Sequence, residues 1–381
     1  MRTQPMKTGL FTAGAALAVV LAGAAVASGQ DARDQERPEF GERIEVEEVL
    51  LDVLVTDARG NPVLGLAPDD FVVEEDGEAV ALTGATFYSS SELIGGAEGV
   101  AARGAAIDTV PRDRYFILLL EDQRKNQGTI DLVSRQLRAA REARRWLSES
   151  LAPADWVAVL SYDFKLKLHQ DFSRDRAALA AAIDAAAEGK EGGNWPSRRG
   201  DGEEPSLAAH LPSGDELRDR TTRIYGALEA IAEAAGHVPG RKSLVLFSIG
   251  FGDIDRFGVY HEDRRYWPPM VRAINDNNVA VYTLDLTPAG VRHPLEGSLS
   301  SLAEETGGHY YSNFVNFATP LAQIAQENSG YYLLSYRAEH PAGKSGFQDV
   351  TVRVKDPSLK VRSRDGYGYG SGPGSGSGSE S

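Results

Sequence analysis

The stretch Tyr115-Phe-Ile-Leu-Leu-Leu120, followed at once by Glu121-Asp122-Gln123-Arg124-Lys125-Asn126, decides the fold. Six consecutive apolar residues are too few for a spanning helix, and they lack the polar alternation of a half-buried strand. Such a run fits a strand covered on both faces. Three later runs repeat the pattern: Trp156-Val-Ala-Val-Leu-Ser-Tyr162, Ser243-Leu-Val-Leu-Phe247 and Val279-Ala-Val-Tyr-Thr-Leu284. Helical stretches separate them: Ile130 to Leu151 with a basic face, Arg176 to Ala187, Thr222 to Ala235, Tyr266 to Asn275, Ser298 to Thr306 and Ala318 to Ala325. A short strand is expected over His309 to Ser312. Apolar strands alternating with helices predict a doubly wound, mostly parallel α/β sheet over residues 113–328.

On either side of this block the rhythm is β. Val49, Leu51, Val53 and Val55 alternate with mostly polar neighbours, and a second strand over Phe71 to Glu75 closes on the hairpin pair Asp76-Gly77. After the helical block come Tyr331 to Tyr336, Val350 to Val354 and Val361. Neither piece, 41–95 or 329–365, is large enough to make a stable sheet alone. The two are therefore expected to form one β-sandwich into which the α/β domain is inserted, with 96–112 as a Gly- and Ala-rich connector.

The chain ends read differently. Arg2 and Lys7 precede an uncharged Ala-, Val-, Leu- and Gly-rich run, and Ala25-Val26-Ala27 supplies small residues at −3 and −1. This is a secretory signal pattern with cleavage after Ala27; the alternative is an uncleaved anchor helix. Residues 28–40 read as a polar linker and Gly366 to Ser381 as a disordered Gly/Ser tail. Export to the periplasm or beyond the cell is expected. Later in the chain no uncharged apolar run is long enough to span a bilayer.

Composition narrows the function. The 381 residues hold 55 acidic and 40 basic side chains, a formal charge of −15 that cleavage would take to −17 by removing Arg2 and Lys7. A nucleic-acid-binding surface is not expected from that balance. With no cysteine, disulfides, thiolate metal sites and cysteine nucleophiles are excluded. Gly-x-Ser-x-Gly is absent, and no two of the seven histidines stand at i, i+2 or i, i+4. Ala338 to Ser345 satisfies a relaxed phosphate-loop pattern, but the following residues read as a strand where such a loop needs a helix; a hairpin loop is expected instead. Arg199-Gly200-Asp201, a tripeptide of the integrin-binding kind, and Trp195 lie in a polar insertion over 188–220.

The order of elements resembles the bacterial von Willebrand factor A related proteins. The resemblance rests on Leu51-Asp-Val-Leu-Val-Thr-Asp57, Asn61-Pro-Val-Leu-Gly-Leu66 with Asp70-Phe71 and Glu75-Asp-Gly77, and Leu151-Ala-Pro-Ala-Asp-Trp-Val-Ala-Val159. It continues through Thr221-Thr-Arg-Ile-Tyr-Gly-Ala-Leu228, Gly240-Arg-Lys-Ser-Leu-Val-Leu-Phe-Ser248, Gly330-Tyr-Tyr-Leu-Leu-Ser-Tyr336 and Val361-Arg-Ser-Arg-Asp-Gly-Tyr367. It implies a metal-ion-dependent adhesion site: Asp-x-Ser-x-Ser after the first strand, a Thr in the second loop and an Asp after a later strand. Hydroxyls with few carboxylates leave a bound Mg²⁺ able to take a partner's carboxylate.

Here that pattern is degenerate. With Glu121 in the first position, Gln123 and Lys125 replace the serines; with Asp122, Arg124 and Asn126 do. Thr222 matches the threonine, and Ile249 replaces the later Asp. No cofactor is therefore expected; any Mg²⁺ would fall to Asp122, Thr222 and Asp253. The expected function is protein contact or assembly at the cell envelope without enzymatic chemistry, through loops holding Glu121, Asp122, Gln123, Arg124, Lys125, Asn126, Thr222, Ser248 and Asp253. The alternatives are a secreted hydrolase using His261, Asp253 and Ser248, or a purely structural envelope component.

Overall fold

A computed structural model describes residues 44–89, 113–123, 130–193, 204–341 and 344–370, all within a unit spanning Arg43–Ser381. The segments expected to be signal, linker and connector, with Arg124, Lys125, Asn126, Trp195, Arg199 to Asp201 and the chain beyond residue 370, lie outside the described residues.

The apolar runs form the centre of a six-stranded sheet. Its strands are β5 (Tyr115–Glu121), β6 (Trp156–Tyr162), β7 (Leu166–Ser173), β8 (Lys242–Ser248), β11 (Val279–Asp285) and β12 (Tyr310–Tyr311). They are ordered β12-β11-β8-β5-β6-β7, and all neighbours are parallel except β6 and β7. Every residue of β5, β8 and β11 is buried, as an unbroken apolar run requires. Each fully buried Leu, Ile or Phe contributes about 1.5–3 kcal/mol, so these strands anchor the domain.

Helices cover both faces. Ile117, Leu119, Leu244 and Leu246 pack against α4 (Ile224–Gly236), α5 (Trp267–Asp276) and α6 (Glu296–Glu305). Phe116, Leu118, Val245 and Phe247 pack against α1 (Ile130–Glu149), α2 (Arg176–Ala187) and α7 (Ala318–Glu327). The start of α2 is fixed by Asp175, whose side chain accepts from the amides of Ala177 and Ala178 at 2.9 and 3.1 Å. The chain leaves β5 toward β6 on one side and later places β8 on the other. The C-terminal ends of β5 and β8 thus flank a topological switch point.

The sandwich is built from both chain ends. One sheet orders β15 (Lys360–Arg362), β1 (Ile44–Thr56), β13 (Gly330–Pro341) and β4 (Leu82–Ser89). The other orders β16 (Gly366–Tyr369), β14 (Gly346–Val354), β2 (Phe71–Glu75) and β3 (Glu78–Val80). β1 and β13 run antiparallel from Ile44↔Pro341 to Val53↔Tyr332. Tyr332 fills the space between the sheets, edge-on to Phe71 and Phe87 at 5.2 and 5.0 Å. Asp76 and Gly77 both take positive φ, 48° and 85°, and turn β2 into β3.

Three expectations need correction. Gly366 to Tyr369 is not tail but strand: it pairs with Gly346–Asp349, and the Tyr367 hydroxyl donates to Glu75 at 2.9 Å. The segment after Ala338 does not close a hairpin, because β13 and β14 lie in different sheets and the connection crosses between them. Gly214–Arg220 is a short helix, α3, inside the insertion expected to be polar loop, and Leu166–Ser173, to which no element is assigned from sequence, is an antiparallel edge strand.

The sandwich is fastened to the α/β domain by polar contacts. Arg364 donates to the carbonyls of Asn275 at 2.6 Å and Leu50 at 3.0 Å. The Gly368 amide donates to Asp276 at 2.6 Å, Asn278 donates to Asp52, and Arg362 pairs with the buried Glu327. Among the described residues no helix is long and apolar enough to cross a membrane.

Candidate functional site

The switch point opens into a cleft of about 310 Å³. Glu121 and Asp122 reach it from the end of β5, where the Asp122 amide donates to the Tyr162 carbonyl at 2.9 Å and holds the chain end against β6. Thr222, Arg223, Ile224 and Tyr225 line it from the start of α4, and Gly250 to Asp253 from the chain after β8. Asp163 and Phe164, from the turn between β6 and β7, and Asp263 and Leu295 complete the wall.

Of the residues expected from sequence, Glu121, Asp122, Thr222 and Asp253 line this cleft, while Gln123 and Ser248 are fully buried outside its lining. The Gln123 amide donates to Gln136 Oε1 at 2.8 Å, and Gln136 donates onward to the Ala187 carbonyl at 2.9 Å, tying β5 to α1 and α2. Ser248 donates its hydroxyl proton to Glu121 and accepts from the Gly250 amide at 2.8 Å. Arg124, Lys125 and Asn126 lie outside the described residues.

Electrostatically the cleft wall is acidic: Glu121, Asp122, Asp163, Asp253 and Asp263 stand against Arg223. Asp163 is balanced by Lys167 in a buried pair at 2.9 Å, and Lys167 also meets Glu191 at 3.3 Å. Arg223 and Arg265 each lie over the Tyr266 ring, 4.9 and 5.2 Å from its centroid. Burial, with the nearby Asp263 and Asp253 carboxylates, pushes the Tyr225 hydroxyl up to about 12, so it stays protonated throughout the physiological range.

Among the described residues the donors do not make up the near-octahedral oxygen set that Mg²⁺ demands. Ser248 spends its hydroxyl on Glu121 and Gly250. Ile249 offers only an apolar side chain packed against the core. Thr222 turns its hydroxyl to the Asp219 carbonyl at 3.3 Å. Its neighbour Thr221 is buried, donating to Leu217 O at 2.7 Å and accepting from the Leu166 amide at 3.0 Å. Among the described residues no three acidic or histidine side chains converge as a metal site.

Of the hydrolase grouping, Asp253 and His261 are brought together as cross-strand partners, whereas Ser248 is buried and bonded to Glu121. His261 meets Asp255 at 3.0 Å on the exposed hairpin of β9 (Asp253–Ile254) and β10 (Tyr260–His261). Among the described residues no side-chain hydrogen bond joins Ser248, Asp253 and His261. The closer carboxylate–histidine pair is one the sequence did not signal, Asp285 with His293 at 2.9 Å. Asp285 also accepts from Tyr310 at 3.0 Å and the Thr287 amide at 2.7 Å, which pins the chain after β11. Burial alone would raise this carboxyl, but the bonds from His293 and Thr287 outweigh it and hold it below the usual range.

Sequence reading also missed the rim. Phe164 is 60% exposed with φ at 67°, a left-handed conformation unfavourable for a bulky side chain. The hairpin leaving the cleft at Asp253 exposes Ile254, Phe257 and Val259, Phe257 to 75%. Exposed apolar residues in a turn are invisible to periodicity, because turns have none.

No protein-family profile matches the chain, and no curated protein matches it. Among solved structures, similarity extends to the conserved hypothetical protein BatB from Bacteroides thetaiotaomicron, at 13% identity over 56% of this chain and 97% of that one, with a TM-score of 0.36. A von Willebrand factor type A structure from Catenulispora acidiphila is similar at 10% identity over 83% of this chain and 73% of that one, TM-score 0.35. The vWF domain of the type V pili tip protein Mfa5 from Porphyromonas gingivalis is 13% identical over 56% and 94%, TM-score 0.35. The strand order and winding themselves establish a doubly wound, mostly parallel α/β sheet, the fold class expected from sequence, and likeness at these scores carries nothing about function.

Proposed function

We propose that this protein is an exported binding module that makes protein contacts at the cell envelope through the switch-point cleft, without covalent chemistry and without a resident divalent ion. The observation that carries the reading is the rim. Phe164 keeps an exposed aromatic ring in a strained conformation at the mouth of a polar cleft, and strain of this kind is retained where function needs it. An exposed aromatic in the cleft wall and an apolar hairpin leaving it at Asp253 suit a partner surface better than a small substrate, and the cleft stands open to solvent. Export rests on the signal pattern up to Ala27.

A photo-crosslinking residue placed at Phe164 or Phe257 of the full chain, in the producing cells, tests the reading. A discrete adduct is expected from both positions and none from Arg353 on the sandwich. Adduct formation is expected to survive a chelator. Equal labelling from all three positions, or none from the rim, would remove the module reading.

A further inference from the structure

The cleft carries more than a location. Its wall is predominantly acidic, and charge complementarity disfavours the carboxylate ligand that a metal-bearing site would select. Beside Asp253 and Asp263, the ring of Tyr225 is held edge-on to Phe251 at 5.2 Å and stacked near Tyr266 at 5.8 Å. Tyr225 is only 6% exposed, and its hydroxyl has no hydrogen-bond partner among the described residues. A buried hydroxyl in that condition is costly unless a ligand completes it. Gly252 keeps the spot open. At φ 118°, a Cβ there would stand 2.5 Å from the Tyr260 ring and 3.3 Å from the Tyr225 oxygen.

We propose that the cleft takes the ammonium or guanidinium of a Lys or Arg side chain from a partner polypeptide. The cation sits between Asp253 and Asp263 and donates to the Tyr225 hydroxyl oxygen, while an apolar neighbour in the partner's sequence rests on Phe164. This rests on the binding-module reading and names its partner's chemistry. Arg223 does not compete for the seat, because its guanidinium lies over Tyr266. Long-range attraction from a protein of formal charge −15 speeds the encounter with a basic segment and weakens as salt rises.

Fluorescence anisotropy on the full chain tests this, with a labelled acetyl-Ser-Gly-Leu-Arg-Leu-Gly-Ser-amide peptide and versions carrying Lys, norleucine or Glu at the centre. The Arg and Lys peptides are expected to bind at least tenfold more tightly than the norleucine and Glu peptides. The Asp253→Asn, Asp263→Asn double variant should erase that preference, and Tyr225→Phe should weaken the Arg peptide several-fold. Should the double variant fold poorly, the exposed Asp253→Asn alone is expected to halve the preference or more. A tighter Glu peptide, equal binding of all four, no binding of any, or an unchanged preference in the variants overturns the basic anchor. If the parent chain forms rim crosslinks from Phe164 yet shows no preference among the four peptides, the docking reading stands and only the anchor chemistry is lost.

Discussion

At the N-terminal ends of the central strands, charged side chains are locked into the protein. Arg114 forms a two-pronged contact with Asp155 at 2.8 and 2.5 Å and donates to the Ala325 carbonyl at 2.7 Å. Lys242 is buried, donates to Val238 O at 2.9 Å, and burial pushes its ammonium down to about 8. At the C-terminal ends ion pairs such as Asp163–Lys167 stand beside glycines with positive φ, a strained Phe164, exposed apolar residues and a Tyr225 hydroxyl with no partner among the described residues. The first end joins the sandwich, where every contact must hold permanently. The second is finished in the manner of a surface that exchanges contacts, so stability and recognition are separated along the strand axis.

Breaking the fixed end should cost most. Arg362→Met leaves Glu327, nearly inaccessible at the end of α7, as an uncompensated buried charge. Removing one partner of such a pair typically costs about 3–5 kcal/mol. Urea unfolding should show that loss, while peptide binding at the cleft in native buffer stays at the parental value. Impaired binding would mean that the two ends are energetically coupled.

Gly252→Ala probes the open end. The new Cβ meets the Tyr260 ring at 2.5 Å and the backbone sits at φ 118°, where side chains are rarely accommodated. A destabilisation of about 2 kcal/mol is expected from strain and clash together, with loss of the basic-peptide preference. Retained preference would show that the space above Tyr225 is not used.

Glu305, at the end of α6 with its carbonyl accepting from the Asp365 amide at 3.2 Å, sharpens the contrast by pH. Burial pushes its carboxyl from 4.5 up to about 7, although Trp267 donates to it at 3.1 Å. A carboxyl raised in the folded state contributes stability below its unfolded value, and that contribution is lost as pH rises through the folded value. Glu305→Gln should therefore be more stable than the parent above pH 7 and equal to it below about pH 4.5. Discounted for partial exposure, the gain is about 1 kcal/mol, read as a shift in urea midpoint at pH 8.

The parts of this molecule legible in sequence are those whose partners are close in the pattern. Tyr115 to Leu120 declares a buried strand because both faces must be apolar, and Asp76-Gly77 declares its turn because few other pairs accept two positive φ values. Gly366-Tyr-Gly-Tyr369 reads as tail by composition; its pairing with Gly346–Asp349 and the bond from Tyr367 to Glu75, nearly three hundred residues earlier, make it structural. Leu166–Ser173 carries polar Lys167, His169 and Gln170, and no strand is expected there. Those side chains are satisfied by Asp163 and Ser161, and by the Asp171 carbonyl, at 2.9, 2.8 and 3.2 Å. At the site, strand ends gave Glu121 and Asp122, whereas Tyr225 and Asp263 depend on how α4 and the chain before α5 meet, which no local pattern encodes.

The smallest expected effect tests the comparison most directly. Phe164 occupies a left-handed conformation that glycine adopts without steric cost, and its ring lies mostly in solvent. If the residue served stability, Phe164→Gly would lower it. Because little apolar area is buried while strain of about 1 kcal/mol is released, the variant should instead be more stable by up to about that amount. The same variant should lose the adduct formed from position 257 and weaken the Arg peptide, whose apolar neighbour no longer finds a ring. A gain in stability joined to a loss of binding is the signature of a residue kept for contact rather than for folding. A loss of both would return Phe164 to the structural end of the molecule.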